Sequence, residues 1–172
     1  MRIFYVNKDE FMKTHSKDEM ALYSDIVTNT DKRFWEHSIG RYLVKNVAKT
    51  VYGIDNPEVI LNDGGKPVFK NSELFFSISH SNNIVIVCFD EVLCGIDIEF
   101  IKERDFERLS EYYDTEFTTK DKFYKFWTHK EAVYKMGEDE NYSYSCKFED
   151  NYYLTVVSKN PLDSAIKPEK WL

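Results

Sequence analysis

The chain has 172 residues, of which 42% are hydrophobic and 31% are charged, and its formal net charge is −7. This composition suits one folded unit with a substantial core, and the negative charge argues against nonspecific nucleic-acid binding. No apolar segment has the length of a signal peptide or a membrane span, so we expect a cytoplasmic protein that binds neither nucleic acid nor membrane. The three cysteines form no C-x-x-C pair, which favours reduced thiols over a zinc site.

The N-terminal part predicts one short strand and one long helix. Arg2–Val6 has strand character, and the apolar residues between Asp9 and Val27 suit one or two helical pieces. Asn29–Asp31 offers N-cap chemistry for the long helix, whose apolar face consists of Trp35, Ile39, Tyr42, Leu43 and Val47. Its basic residues are Arg33, Arg41, Lys45 and Lys49. Most of them are interpreted as a solvated face, and the alternative is that one or two contact a phosphate.

A turn-rich segment follows the long helix. Gly53–Asn62 is predicted to be a loop, and Asn62–Pro67 is a strong turn because of its two glycines and its proline. A lysine held on such a turn, Lys66, is either solvated or a fixed cation beside a phosphate.

Three strands are predicted in the middle of the chain. Glu73–Ser79 forms the first, and a polar break at Ser79–Asn83 separates it from Ile84–Phe89, an apolar run typical of a strand buried on both faces. The run Val92–Phe100 follows after a tight connection, so we expect these last two strands to pair as a hairpin.

The second half predicts two helices and a hairpin. Asp105–Tyr113 forms a short helix, and a longer helix begins near Thr118 or Thr119 and ends at Gly137. Two alternating strands follow, at Tyr142–Phe148 and Tyr152–Val157. The order of elements indicates an α+β fold built as a pseudo-dimer, with an N-terminal half at 1–101 and a C-terminal half at 102–172. Each half would pack a helix on a small, mainly antiparallel sheet, and the two would form one compact unit.

Carboxylates and a lysine are predicted to converge between these halves. Asp97 and Glu99 are two apart on a strand, so both side chains leave the same face. On the longer helix, Trp127, Glu131 and Lys135 stack at intervals of four. The acids alone would also fit the solvated face of a sheet, and Glu131 with Lys135 would fit an exposed ion pair. A Mg²⁺ ion held by Asp97, Glu99 and Glu131 would relieve the repulsion between the acids, with Lys135 beside a bound phosphate.

Four ordered blocks of sequence resemble the 4′-phosphopantetheinyl transferases. The segment Gly95–Glu99 matches the family signature G-[IVD]-D-x-E, and Trp127–Lys135 matches [FW]-[STC]-x-K-E-[AS]-x-x-K. Gly65–Pro67 and Phe76–Ser81 correspond to two further blocks upstream. The position of the acid pair resembles the larger, surfactin-synthetase-activating type, a monomer with two related halves. Glu36 and His37 depart from this resemblance, because a basic residue is expected just before Ser38–Arg41.

The resemblance implies a holo-[carrier-protein] synthase that moves the phosphopantetheine arm of coenzyme A onto a serine of an acidic acyl or peptidyl carrier protein and releases 3′,5′-ADP. It assigns Mg²⁺ to Asp97, Glu99 and Glu131, and it makes Glu131 and Lys135 catalytic. Coenzyme A would be bound by Lys66, Pro67, Ser79, His80 and Lys135, with His80 at the 3′-phosphate.

Two alternatives and one docking surface complete the predictions. The acids and lysine would also suit a Mg²⁺-dependent nuclease, although no broad basic surface is evident. A noncatalytic relative that binds coenzyme A or a carrier is the other alternative. For the carrier we expect a docking surface at Lys120, Lys122 and Lys125 with Phe123 and Tyr124, unless these lysines are merely solvated.

Overall fold

The computed structural model describes residues 1–24, 30–163 and 166–171. Its described helices are α1 Lys8–Met12, α2 Lys17–Ala21, α3 Asp31–Tyr52, α4 Phe106–Tyr113 and α5 Lys120–Met136. Its strands are β1 Arg2–Asn7, β2 Val59–Leu61, β3 Pro67–Phe69, β4 Phe75–Ser81, β5 Ile84–Asp90, β6 Cys94–Phe100, β7 Tyr142–Phe148, β8 Tyr152–Ser158 and β9 Glu169–Lys170. The predicted α+β class is therefore confirmed.

The first large sheet has the strand order β4-β5-β1-β9, and α3 packs on one of its faces. Thr30 caps the start of α3 by accepting a hydrogen bond from the amide of Arg33. The predicted apolar face is buried, and it meets alternate residues of β5, including Val85, Val87 and Phe89. The helical pieces predicted near the N-terminus appear as α1 and α2, whereas positions 25–29, with Asn29 of the predicted cap, lie outside the described residues.

The second large sheet has the antiparallel order β6-β8-β7 and carries α5 on its outer face. Its inner face meets the first sheet, because Ile96 and Ile98 of β6 pack with Ile84 and Ile86 of β5. The layers are therefore α3, the first sheet, the second sheet and α5. In the described part of the chain, no helix is both long and apolar enough to cross a membrane.

The hairpin predicted between β5 and β6 is wrong. Both edges of β5 are already occupied, since β1 pairs along one edge and β4 along the other. The chain instead crosses after Asp90 to the second sheet, where β6 pairs with β8 from Cys94 opposite Ser158 to Phe100 opposite Tyr152. The contact that remains between β5 and β6 is made by side chains and includes the buried thiols of Cys88 and Cys94, with their sulfurs 3.6 Å apart.

Two local expectations also need correction. The predicted loop at 53–62 contains strand β2, which pairs with β3 around the Asn62–Lys66 turn. The expected polar break is shorter than predicted, because β4 continues through Ser81 and turns into β5 at Asn82 and Asn83. Among the basic residues of α3, Arg33 and Lys49 are exposed, whereas only 6% of the surface of Arg41 is exposed.

Each large sheet bears one long helix. The strands of each large sheet come from both of the predicted halves of the chain. β6 precedes residue 101 but pairs with β8, and β9 near the C-terminus pairs with β1 in the first sheet.

Candidate active site

A ladder of serine side chains joins the two large sheets. Ser77, Ser79 and Ser81 occupy alternate positions of β4, so their hydroxyls leave the same face. Each Oγ accepts a hydrogen bond from a backbone amide of β6, from Ile96 at 3.3 Å, Ile98 at 3.2 Å and Phe100 at 2.9 Å respectively. The ladder satisfies amides at the edge of β6 that no neighbouring strand pairs with.

The last two serines also hold the predicted acid pair. Ser79 donates to Oδ1 of Asp97 at 2.9 Å, and Ser81 donates to Oε2 of Glu99 at 3.1 Å. The period of two in the serines thus matches the period of two in the acids. Two separate sequence blocks therefore form one structural unit.

Lys135 completes a buried polar cluster with Asp97. Its Nζ donates to Asp97 Oδ1 at 2.6 Å and to Ser79 Oγ at 2.8 Å. The Ser79 hydroxyl consequently makes its full set of one donated and two accepted bonds. Burial raises the pKa of Asp97, while Lys135 and Ser79 act in the opposite direction. The cluster therefore stabilises a charge that burial alone would disfavour.

Glu99 is held from the helix side by Trp127, whose indole Nε1 donates to Glu99 Oε1 at 3.2 Å. The Trp127 ring also stacks near Phe123, with ring centroids 6.4 Å apart and planes 10° from parallel. Trp127 therefore both packs the helix and orients an acid.

Glu131 lies between these two contacts along α5, one turn from Trp127 and one turn from Lys135. Trp127 contacts Glu99, and Lys135, two turns later, contacts Asp97. The helix row (Trp127, Glu131 and Lys135) therefore runs antiparallel to Asp97 and Glu99 on β6. Glu131 is half-buried, and its carboxylate raises the pKa of Tyr113. Glu131 thus lies between Trp127 and Lys135 on α5, but among the described residues it is not grouped with Asp97 and Glu99 closely enough to form a three-carboxylate site.

Gly95 permits this close approach of helix and strand. A Cβ added at Gly95 would lie 2.0 Å from the backbone oxygen of Ala132 on α5 and 3.0 Å from Val157 Cγ2. No real side chain tolerates that separation. The first residue of the Gly95–Glu99 block is therefore a glycine because α5 packs directly against the strand backbone.

The Gly65–Pro67 block lies beside the C-terminal end of α5. Lys66 Nζ donates to the carbonyl oxygen of Met136 at 3.2 Å, and burial lowers the pKa of Lys66. No ion pair joins Lys66 to a carboxylate within residues 1–24, 30–163 and 166–171. Lys66, Pro67 and Lys135 line one cavity of about 720 Å³. This cavity therefore presents two cations from different elements.

His80 is separated from Ser79, because adjacent residues of β4 point to opposite faces. Its ring lies toward α3 and borders a second cavity of about 290 Å³, lined by Arg33, Glu36, His37, Arg41, Ile78 and His80. Ile78 borders both cavities, so the two lie side by side. Glu36, which stood out in the sequence only as a departure from the family pattern, therefore lines this cavity.

The carboxylate oxygens of Asp97 and Glu99 are chemically suited to bind a magnesium ion. Asp97 Oδ2 is buried and has no hydrogen-bond partner among the described residues. Across the described ranges, no three Asp, Glu, His or Cys side chains are grouped closely enough to hold a metal by themselves. Mg²⁺ commonly takes one or two carboxylates together with phosphate oxygens and water, which agrees with an acid pair that lies beside a ligand cavity.

The two aromatic residues of the predicted carrier-docking surface are not part of the protein surface. Phe123 and Tyr124 are buried, and they pack with Phe117 and Tyr153 rather than facing solvent. Lys120 forms an ion pair with Glu103. Lys122 and Lys125 remain exposed.

Trp127→Phe should lower the affinity of the acid pair for Mg²⁺ about 10- to 100-fold, because the substitution removes the donor that orients Glu99. Phenylalanine keeps an aromatic ring in the cluster, so the free energy of unfolding should fall by only about 1–2 kcal/mol. Magnesium titration by calorimetry and thermal unfolding measure the two effects. Trp35→Phe, on the buried face of α3, is the matched control. Unchanged magnesium dependence in the Trp127 variant would contradict this role.

Two curated proteins are similar to the chain. It is 30% identical over 121 residues to 4′-phosphopantetheinyl transferase psf-1 of Bacillus pumilus, an alignment that covers 62% of this chain and 52% of that protein. It is 33% identical over 111 residues to 4′-phosphopantetheinyl transferase Sfp of Bacillus subtilis (strain 168), covering 57% and 50%. The chain thus spans about half the length of these relatives, and no known protein-family model matches it. The resemblance predicted from the sequence blocks is confirmed: the chain resembles the 4′-phosphopantetheinyl transferase superfamily in its larger, Sfp-like form.

Proposed function

We propose that the protein transfers the 4′-phosphopantetheine arm of coenzyme A to a serine of an acyl or peptidyl carrier protein. The observation that carries this proposal is the joined cluster of Ser79, Asp97 and Lys135, at a cavity that is lined by both Lys135 and Lys66. Buried Asp97 and half-buried Glu99 suit a metal cation, and the two lysines suit the phosphates that such a cation would accompany.

The proposed donor is held across the two cavities. Lys66 and Lys135 attract the pyrophosphate, Pro67 lines the same cavity, and the nucleotide end reaches the neighbouring cavity at His80. Ser79 contributes indirectly, because its three hydrogen bonds fix Asp97 and Lys135. Asp97, Glu99 and Glu131 would hold Mg²⁺, which supplies charge neutralisation on the pyrophosphate.

The residues of the chain have distinct tasks in the reaction. The carrier serine oxygen forms a bond to the phosphorus that bears the pantetheine arm, and the bond from that phosphorus to the oxygen of 3′,5′-ADP breaks. Glu131 accepts the serine proton, directly or through a water molecule. Lys135 neutralises the departing phosphate or protonates its oxygen.

The product tests this proposal. Coenzyme A, Mg²⁺ and a panel of apo-carriers are incubated with the protein, and 3′,5′-ADP is quantified by chromatography. We expect its release only when carrier and Mg²⁺ are both present. No release with any carrier would contradict transfer and favour a noncatalytic binding module. Cleavage of DNA or RNA with Mg²⁺ under the same conditions would favour a nuclease instead.

We further propose that the chain acts as a cytoplasmic monomer whose two helix-on-sheet halves divide the work. The half before residue 101 supplies the nucleotide-binding residues and the acid pair, and the later half supplies α5 with Glu131 and Lys135. An acidic carrier would approach the exposed lysines of α5. The packing of α3 and α5 on opposite outer faces supports this division.

A further inference from the structure

The smaller cavity already contains an anion. Glu36 is 7% exposed, and its carboxylate is directed toward two lysines and a histidine that come from three elements. Its Oε1 lies 3.3 Å from Lys8 Nζ and 3.8 Å from Lys32 Nζ, and its Oε2 lies 3.6 Å from His80 Nδ1. His80, the β4 side chain that would contact a ligand anion, is therefore already paired with Glu36.

The location of the Glu36 carboxylate affects how the 3′-phosphate of coenzyme A would bind. With the pyrophosphate at Lys135, the nucleotide end lies toward the cavity that shares Ile78. The 3′-phosphate is the most charged group at that end, so it would be drawn to the cavity containing Arg33, Arg41 and His80. There it would face the carboxylate of Glu36, and like charges at this distance repel.

The state of His80 agrees with a weakened phosphate site. Surrounding protein lowers the pKa of His80 through desolvation, although 48% of its side chain is exposed and Glu36 opposes the shift. At neutral pH the imidazole is therefore largely uncharged and offers a phosphate one hydrogen bond but no full positive charge.

We propose that Glu36 sets the discrimination between coenzyme A and 3′-dephospho-coenzyme A, so that the protein uses both donors with similar efficiency. This inference rests on the proposed function. Glu36 takes the place of the ligand phosphate as the partner of Lys8, Lys32 and His80, and the 3′-phosphate consequently adds little to binding. Removing the negative charge while keeping the side-chain shape should release Lys8, Lys32 and the His80 ring for the phosphate.

The test compares kcat/KM for the two donors in the wild type, Glu36→Gln and Glu36→Asp. We expect the wild-type ratio to lie within about threefold, and the glutamine variant to prefer coenzyme A roughly tenfold or more through KM. Glu36→Asp keeps the charge and should keep the wild-type ratio. Glu140→Gln is the matched control, because Glu140 also pairs with a histidine, His129 at 2.7 Å, but lies outside both cavities.

Binding of 3′,5′-ADP and 5′-AMP, measured by calorimetry without a carrier, separates this inference from the proposed function. Similar affinities in the wild type and a gain for 3′,5′-ADP alone in Glu36→Gln would support the inference even if no transfer occurred. If Glu36→Gln fails to fold, the wild-type comparison decides. A wild-type preference above about thirtyfold for the 3′-phosphorylated ligand, or an unchanged ratio in folded Glu36→Gln, would overturn the inference.

Discussion

Asp97→Asn should reduce carrier modification at least about a hundredfold while the protein stays folded. Asparagine has nearly the same shape and can still accept the hydrogen bond from Ser79, which donates to Asp97 at 2.9 Å. It cannot supply the negative charge that pairs with Lys135 and that a magnesium ion requires. Initial rates of carrier modification and circular dichroism measure the two parts of this prediction.

The control for this substitution is Asp121→Asn, on the same helix as Lys135. Asp121 forms an ion pair with Lys147 in which both side chains are about half exposed, so its loss should change activity little. An Asp97 variant with more than about a tenth of wild-type activity would exclude Asp97 as an essential metal ligand.

Gly95→Ala should impair both stability and activity. The new Cβ would lie 2.0 Å from the Ala132 backbone oxygen, which cannot rotate away as a flexible side chain would. Helix α5 would have to move outward, at a cost of about 1–3 kcal/mol or more in the free energy of unfolding. The same movement would draw Lys135 and Glu131 away from β6, and a displacement of about 1 Å can cost a hundredfold in rate.

Denaturant unfolding and carrier modification together check this prediction. Gly64→Ala serves as the control, because its Cβ would meet only Asn62 Oδ1, at an ordinary distance of 3.5 Å. If Gly95→Ala retained both stability and rate, the close helix–strand contact would not be what positions the site.

Local signals made the second half of the fold predictable. Helix α5 begins after Thr119, whose side chain accepts from the amide of Lys122, and it ends at Gly137 with a φ of 87°. The hairpin of β7 and β8 follows strict alternation and a short turn. These features depend on neighbours in sequence, and so the sequence reveals them.

The pairing of β5 could not be read in the same way. Its apolar run correctly indicates burial on both faces, but such a run does not say which strands lie at its edges. β1, more than 70 residues earlier, takes one edge, and β4 takes the other. Because β6 directly follows β5 in the chain, the sequence favoured pairing between them. That pairing is excluded because β1 and β4 occupy both edges of β5.

The candidate site shows the same contrast. The spacing of Asp97 and Glu99, and of the helix row, predicted which side chains share a face, and the structure brings Lys135 onto Asp97. The serine ladder was missed, although the alternation of Ser77, Ser79 and Ser81 was a visible signal. The pairing of Glu36 with His80 depends on how α3 packs against β4, which spacing alone does not encode.

The mass of an apo-carrier protein after incubation with the purified protein, coenzyme A and Mg²⁺ tests the central claim most directly. The proposed function predicts that at least one carrier gains the mass of one phosphopantetheine arm on its serine. It also predicts no gain when Mg²⁺ is chelated or Glu131 is replaced by alanine. If a panel of folded apo-carriers keeps its original mass, or the Glu131→Ala protein modifies a carrier as fast as the wild type, the claim is contradicted.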